Sequence, residues 1–192
     1  MRAVAGPALD PRLGYCVGQP PAALEIRLRQ PQPVWQPAAQ YEQVVAAGGY
    51  QAAFRQPFFA VLADELLTYQ SGELLVRGPH VAVPNGPEDW LATGDFGYFD
   101  HARQLWLTGR HGAARLVRGV GHYQFEHYLR HQPGVAQVAA LPRPDGTAFD
   151  VFFVGMTTAE GLRAATDAAF GPGLLGHVQP RAVAGGRWPA FF

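Results

Sequence analysis

Two short stretches of this chain carry residue types suited to holding a polar small molecule: Thr93-Gly94-Asp95 and Gly109-Arg110. A glycine lets the backbone bend tightly at a strand end, and the aspartate after it presents a carboxylate able to accept two hydrogen bonds from a vicinal diol. An arginine closing the next hairpin offers a planar cationic fork that suits a phosphate or a sugar hydroxyl. The plainer alternatives are an aspartate that caps the following backbone, and an arginine paired with Asp100 or with solvent. This chemistry is binding, and no residue is assigned a catalytic role.

Other constellations carry less. The seven histidines are His80, His101, His111, His122, His127, His131 and His177. His127 and His131 stand four apart, as a metal pair on one helical face would, but no third ligand follows in a metal-site pattern, so no metal is expected. Cys16 has no recognisable His or Asp partner, and as the single cysteine it excludes an internal disulfide framework. The glycines of RGVG do not follow a strand as a dinucleotide fingerprint would. The tail RWPAFF reads as packing onto the protein's own sheet.

These residues need a scaffold, and 192 residues at 48% apolar and 16% charged describe a chain that buries a core. The formal net charge is zero, which gives no ground for nucleic-acid binding. No apolar run approaches the ~20 residues of a membrane span, and the first residues lack a signal-peptide core, so a cytoplasmic protein is expected. All 15 basic residues are arginine. No step can therefore use a lysine ammonium as a point charge.

Alternation of apolar and charged residues predicts a strand at 24–28, followed by an irregular connector at 31–40. The spacing over 41–69 fits one or two short helices, or a helix and a strand. A strand at 73–77 is stopped by Gly78-Pro79, Asn85-Gly86-Pro87 is a turn, and 98–100 and 104–108 form a hairpin. A short amphipathic helix at 125–131 ends at Gln132-Pro133-Gly134. Strands at 135–141 and 149–156 flank a turn at 142–146. A helix at 158–170 has Thr158 as N-cap and Gly171 as C-cap, and a last strand is expected at 181–184. The order β-β-α-β-β-α-β after residue 110 indicates a small α+β unit.

The order GELLVRGP, then W-x-x-TGD-x-G-Y-x-D, then L-x-x-TGR resembles the adenylate-forming ligase superfamily. That group includes acyl-CoA synthetases, fatty acyl-AMP ligases, luciferases and nonribosomal-peptide adenylation domains. GYCVGQPPAALEIRL, HYQFEHYLRHQPGVAQVAAL, PRPDG, FDVFFVG and HVQPRAVAGGRWP are similar to further family patterns in the same order. The resemblance covers about residues 12–30 and 71–189 and maps to the C-terminal portion of the family. It implies an α+β protein in two parts. Residues 1–110 would form a small distorted antiparallel sheet or partial barrel. Residues 111–192 would form a lid-like domain with a three-stranded sheet and two helices, the boundary falling near 110–114.

The resemblance also implies roles. Asp95 matches the aspartate that holds the ribose hydroxyls of ATP and of the acyl-adenylate, and Arg110 matches the arginine near ribose and phosphate. Ala113 stands where the family carries a charged Asp or Lys pivot for rotation of the small domain. LVRGVGHYQFE resembles the loop that approaches the pantetheine tunnel, and His122-Tyr123 is similar to the N-H-Y-P of fatty acyl-AMP ligases. Gly121 and Gln124 replace the Asn and Pro of that pattern, and the plainer reading is a Gly-rich turn with His122 on the surface. Nothing resembles the phosphate loop ending in lysine, the Y-G-x-T-E element or the C-terminal G-K lysine.

The expectation is therefore a truncated or degenerate ligase-like protein, incompetent alone, which binds ATP or AMP through Asp95 and Arg110 and does not bind CoA by itself. Its expected partners are a separately encoded N-terminal ligase half or an acyl carrier protein. The alternative is a non-catalytic binding or interaction module derived from the same fold.

Overall fold

In Leu24-Glu25-Ile26-Arg27-Leu28-Arg29 successive side chains point to opposite faces of an extended chain, so one face is apolar and the other charged. In the computed structural model, which describes residues 10–36, 58–61, 69–82, 89–100, 102–111 and 116–181, this pattern is realised as a long strand, β2 (Glu25–Pro33). With β1 (Tyr15–Gly18), β3 (Phe58–Val61), β4 (Gln70–Arg77), β5 (Leu91–Phe99) and β6 (Leu105–Arg110) it builds an open six-stranded antiparallel sheet in the order β1-β6-β5-β4-β2-β3. Register shifts interrupt the pairings β1–β6, β2–β4, β4–β5 and β5–β6, so the sheet is distorted as expected, but it does not close on itself.

The two faces differ as the sequence requires. Ile26, Leu28, Leu74, Phe99 and Leu105 make one buried cluster. On the charged face Arg29 pairs with Glu73 and Arg77 with Glu25, each directly across β2 and β4, and the Arg27 guanidinium lies 4.2 Å from the Trp90 ring centroid. Leu13, Val34, Tyr69, Tyr98 and Trp106 form a separate cluster beside β5 and β6.

After Arg110 the chain forms a second, mixed sheet of β7 (Val135–Pro142), β8 (Phe149–Gly155) and β9 (Leu175–Pro180), with two helices, α1 (His122–Arg130) and α2 (Ala159–Phe170). β7 and β8 are antiparallel; β9 runs parallel to β8, with α2 as the crossover. The protein is thus α+β, with the predicted three strands and two helices. Thr158 Oγ1 accepts the Gly161 N–H at 3.0 Å, the N-cap its sequence position foretold, and Gly171 closes α2 as the C-cap. The buried stripe of α1, Gln124, Phe125, Tyr128 and Leu129, follows helical spacing and faces Phe149, Val151 and Phe153 of β8 in one core. Phe125 stacks on Phe149 with centroids 4.8 Å apart.

Three local expectations change, and others lie partly outside the described residues. β9 (Leu175–Pro180) is a strand the sequence did not announce, because the polar residues of LGHVQP conceal a strand whose burial rests on Leu175, and of the strand expected at 181–184 only Arg181 lies among the described residues. Helix α1 begins at His122 instead of 125, because Gln124 Oε1 accepts the Gly121 N–H at 3.1 Å and closes the first turn. Instead of two strands ahead of α1, there is an isolated bridge between Val117 and Val120. Within 41–69, the strand β3 is observed and the remainder, apart from Tyr69 at the edge of β4, lies outside the described residues, as do the turn at 85–87 and the tail RWPAFF.

Helix α1 lies between the two sheets. It packs on β7 and, through its N-terminus, on β6: a Cβ added to Gly121 would come within 2.5 Å of Thr108 Cβ and 2.6 Å of the Thr108 carbonyl oxygen. Only a glycine permits that approach.

Candidate functional site

Thr93, Gly94 and Asp95 do not end a strand. β5 runs through them as a bulge: between the pairs Leu75↔Ala92 and Glu73↔Phe96, one residue of β4 faces three of β5. Gly94 takes φ 74, a conformation that strongly favours glycine, and its carbonyl accepts the His111 N–H at 2.9 Å. Thr93 Oγ1 donates to the Leu74 carbonyl at 3.0 Å and accepts the Asp95 N–H at 3.0 Å. A bulge of this kind re-aims a side chain, and the one re-aimed here is Asp95.

Arg110, the last residue of β6, is the direct cross-strand partner of Asp95. The two candidate residues are therefore brought together, with Nε of Arg110 3.6 Å from Oδ1 of Asp95. Asp95 is 30% and Arg110 66% exposed, so both heads reach water. Asp100, the other partner considered for Arg110, is committed elsewhere. Its carboxylate accepts the N–H groups of Ala102 (2.8 Å) and Gln104 (2.9 Å) and Nε1 of Trp106 (2.8 Å), which shapes the β5–β6 hairpin.

A third residue at this corner is Tyr123, in the first turn of α1. Burial raises the pKa of its hydroxyl, the negative charge of Asp95 raises it further and Arg110 opposes the shift, which places the phenol within electrostatic reach of both. Tyr15 of β1 meets Tyr123 edge-on at 6.1 Å and His127 edge-on at 4.6 Å, and the Arg130 guanidinium lies 6.0 Å from the Tyr15 ring. No sequence signal marks Tyr123 as a neighbour of Asp95; docking of α1 onto β6 sets it at this corner.

His122 is not a surface histidine. Its side chain is 13% exposed, Nε2 lies 3.1 Å from Glu126 Oε1, and Nδ1 is buried without a hydrogen-bond partner among the described residues. Position N1 of a helix pressed onto β6 turns the ring inward. Glu126 Oε1 also accepts the Ala140 N–H of β7 at 2.9 Å, so this carboxylate ties α1 to the second sheet.

The His127 and His131 rings lie with centroids 4.5 Å apart, tilted by 46°, and His131 Nδ1 lies 2.8 Å from the His127 carbonyl oxygen. Among the described residues no three His, Cys, Asp or Glu side chains gather to hold a metal. Cys16 Sγ donates to Gln104 Oε1 at 3.7 Å. The pivot position Ala113 lies outside the described residues.

The Asp95 carboxylate retains acceptor sites for a diol, and Arg110 can turn donors toward a phosphate. The described part of this corner brings no activated nucleophile or general base to the pair.

No family model matches the chain. Over 92 residues it is 33% identical to "4-coumarate--CoA ligase-like 6" of Oryza sativa subsp. japonica, spanning 40% of this chain and 15% of that protein. Over 110 residues it is 36% identical to "Marinolic acid--CoA ligase" of Pseudoalteromonas sp., spanning 50% of this chain and 16% of that protein. The chain thus corresponds to a small part of the length of these relatives. Among solved structures, the amide bond synthetase McbA from Marinactinospora thermotolerans superposes with a TM-score of 0.54 at 24% identity, covering 86% of this chain and 32% of that one. The O-succinylbenzoate Coenzyme A synthetase from Bacillus subtilis, in complex with ATP and magnesium ion, superposes at 0.57 with 18% identity and the same coverage. At these identities the structural likeness is one of fold.

Proposed function

We propose that this chain, which belongs to the adenylate-forming ligase superfamily and matches its C-terminal portion, supplies the ribose- and phosphate-facing corner of an adenylate site and does not activate carboxylates alone. Asp95 accepts hydrogen bonds from the two ribose hydroxyls of ATP or AMP, and Arg110 faces the ribose–phosphate side. The observation that carries this reading is the cross-strand pair itself: a carboxylate set on a bulge, loosely held by one arginine, with both groups open to solvent. The solved neighbours with ATP or AMP bound support the choice of nucleotide.

The phosphate-loop chemistry does not come from these 192 residues, which contain no lysine and no stretch resembling that loop. A leaving pyrophosphate needs cationic donors placed around it, and arginine at one edge of a ribose site does not supply them. Residues 1–110 act as the site-bearing unit and 111–192 as the unit that covers it. The natural complement is a separately encoded N-terminal ligase half, with an acyl carrier protein as a further partner. CoA is not held by this chain alone, and the assembly works in the cytoplasm. No described helix is long and apolar enough to cross a membrane.

Calorimetry with AMP and with an acyl-sulfamoyl adenosine tests the reading: binding that disappears in Asp95→Ala supports it, and absence of binding by the parent chain overturns it. Mixing with the N-terminal half should restore carboxylate-dependent exchange of pyrophosphate into ATP. A second reading, a binding module without catalysis, is favoured by the replacement of the charged pivot by Ala113. It is distinguished by nucleotide binding without exchange in any such mixture.

A further inference from the structure

β4 and β6 do not pair with each other, because β5 runs between them. Strands two apart in a flat sheet stand about 9.5 Å from each other, beyond the reach of two short hydroxyl side chains. Ser71 of β4 and Thr108 of β6 nevertheless bring their hydroxyl oxygens to 2.6 Å, with Ser71 4% and Thr108 1% exposed. The sheet curls at this point, where two glycines pair. Gly72 faces Gly97, and an added Cβ would come within 2.8 Å of the Arg29 carbonyl oxygen at Gly72 and 2.6 Å of the Trp106 carbonyl oxygen at Gly97.

Thr108 is also the odd residue in the pairing of β5 with β6. Phe99↔Leu105, Tyr98↔Trp106 and Gly97↔Leu107 keep one register, whereas Phe96↔Gly109 and Asp95↔Arg110 keep another, shifted by one residue. Thr108 is therefore the inserted residue of a bulge. Continued without it, the first register would set Gly109 opposite Asp95 and Arg110 opposite Gly94. A slip of one residue also turns a side chain to the other face of the sheet.

We propose that the Ser71–Thr108 hydroxyl pair is a register lock: it holds Thr108 out of the ladder as the bulged residue, and so makes Thr108 a positioning residue that sets Arg110 opposite Asp95. Valine at 108 fills the same space and keeps the β-branch, but it has no hydroxyl to tie to β4 and leaves that of Ser71 buried without its partner. With the tie gone, the unbulged ladder, which pairs residue 108 with Phe96, competes with the bulged one. The lock lies wholly within the six-stranded sheet. Its consequence for a ligand rests on the nucleotide reading above; the register itself does not.

Nuclear magnetic resonance of the full chain without nucleotide reads the register from cross-strand contacts between backbone protons. The parent and Thr108→Ser, which keeps a hydroxyl, should show Asp95–Arg110 contacts alone. Thr108→Val should show Asp95–Gly109 contacts, as a second set or in place of the first. The double variant Ser71→Ala/Thr108→Val orphans neither hydroxyl, should show the same change, and answers alone if Thr108→Val fails to fold. In calorimetry Thr108→Val should weaken AMP about tenfold and adenosine less than twofold, because the displaced group is the arginine assigned to the phosphate. Thr108→Ser should bind both as the parent does. Asp95–Arg110 contacts alone in the valine variants, or Asp95–Gly109 contacts in the parent, overturn the lock. A register that shifts as expected in a chain whose parent binds no AMP upholds the lock and removes the nucleotide reading.

Discussion

Asp95 and Arg110 face each other directly across β5 and β6, yet their charged groups approach only to 3.6 Å, through a single Nε–Oδ1 contact. A pair this open to solvent contributes only about 0.2–1 kcal/mol to folding. Its looseness leaves the carboxylate available to another donor. The pair is better placed to bind than to stabilise.

The first prediction separates those two roles. Asp95→Ala should weaken AMP binding at least tenfold in calorimetry while changing the unfolding free energy by less than about 1 kcal/mol. Arg110→Ala should weaken AMP binding and leave adenosine binding nearly unchanged, since the arginine is assigned to the phosphate side. A large stability loss in Asp95→Ala would make it a structural residue.

Glu126 carries the opposite character. Its Oε1 serves both the Ala140 N–H and His122 Nε2 while only 12% exposed. Glu126→Ala should cost about 2–3 kcal/mol in urea denaturation, because a β7 donor and a buried ring nitrogen lose their acceptor. Nucleotide affinity should change far less than in Asp95→Ala.

The pH dependence centres on His127. Burial first, then His131 and Arg130, lower its pKa from the ordinary 6.5. Tyr15 meets it edge-on from β1, and Glu126 shares its helix. The unfolded chain binds this proton more tightly than the folded one, so the contribution is fully present above about pH 6.5 and is lost as pH falls below that through the lowered folded value. His127→Gln should flatten the stability profile between roughly pH 5 and 7 when unfolding is followed by circular dichroism. An unchanged slope would remove His127 as the source.

Packing at the junction gives the last prediction. Gly121→Ala forces a methyl against the Thr108 backbone and should destabilise by about 1–3 kcal/mol. Phe125→Ala, which opens a cavity beside Phe149 in the core, should cost more, about 3–5 kcal/mol. Thermal melts of both variants decide the order, and a neutral Gly121→Ala would mean that α1 does not seat on β6 as described.

Much of the fold was legible along the chain because its signals are local. The alternation in LEIRL, the helical stripe of Phe125, Tyr128 and Leu129, the Thr158 cap and the Gly171 stop each act over a few residues, and the folded chain keeps them. The strand β9 escaped because its register beside β8 is fixed by α2, which is not written in Gly176, His177 and Gln179 themselves. His122 escaped because a residue's exposure depends on what lands on it.

The sequence by itself determined the residue types of the site, an aspartate after a flexible glycine and an arginine at a strand end, and the absence of lysine chemistry to go with them. Only the tertiary structure decided that Asp95 sits on a bulge opposite Arg110, that Tyr123 comes within electrostatic reach of the pair, and that Trp35 packs on the second core. The reason is sequence distance. Contacts between residues near 15, 35, 95 and 123 are made by sheets and helices docking as bodies, and no periodicity within a short window encodes where another body will dock.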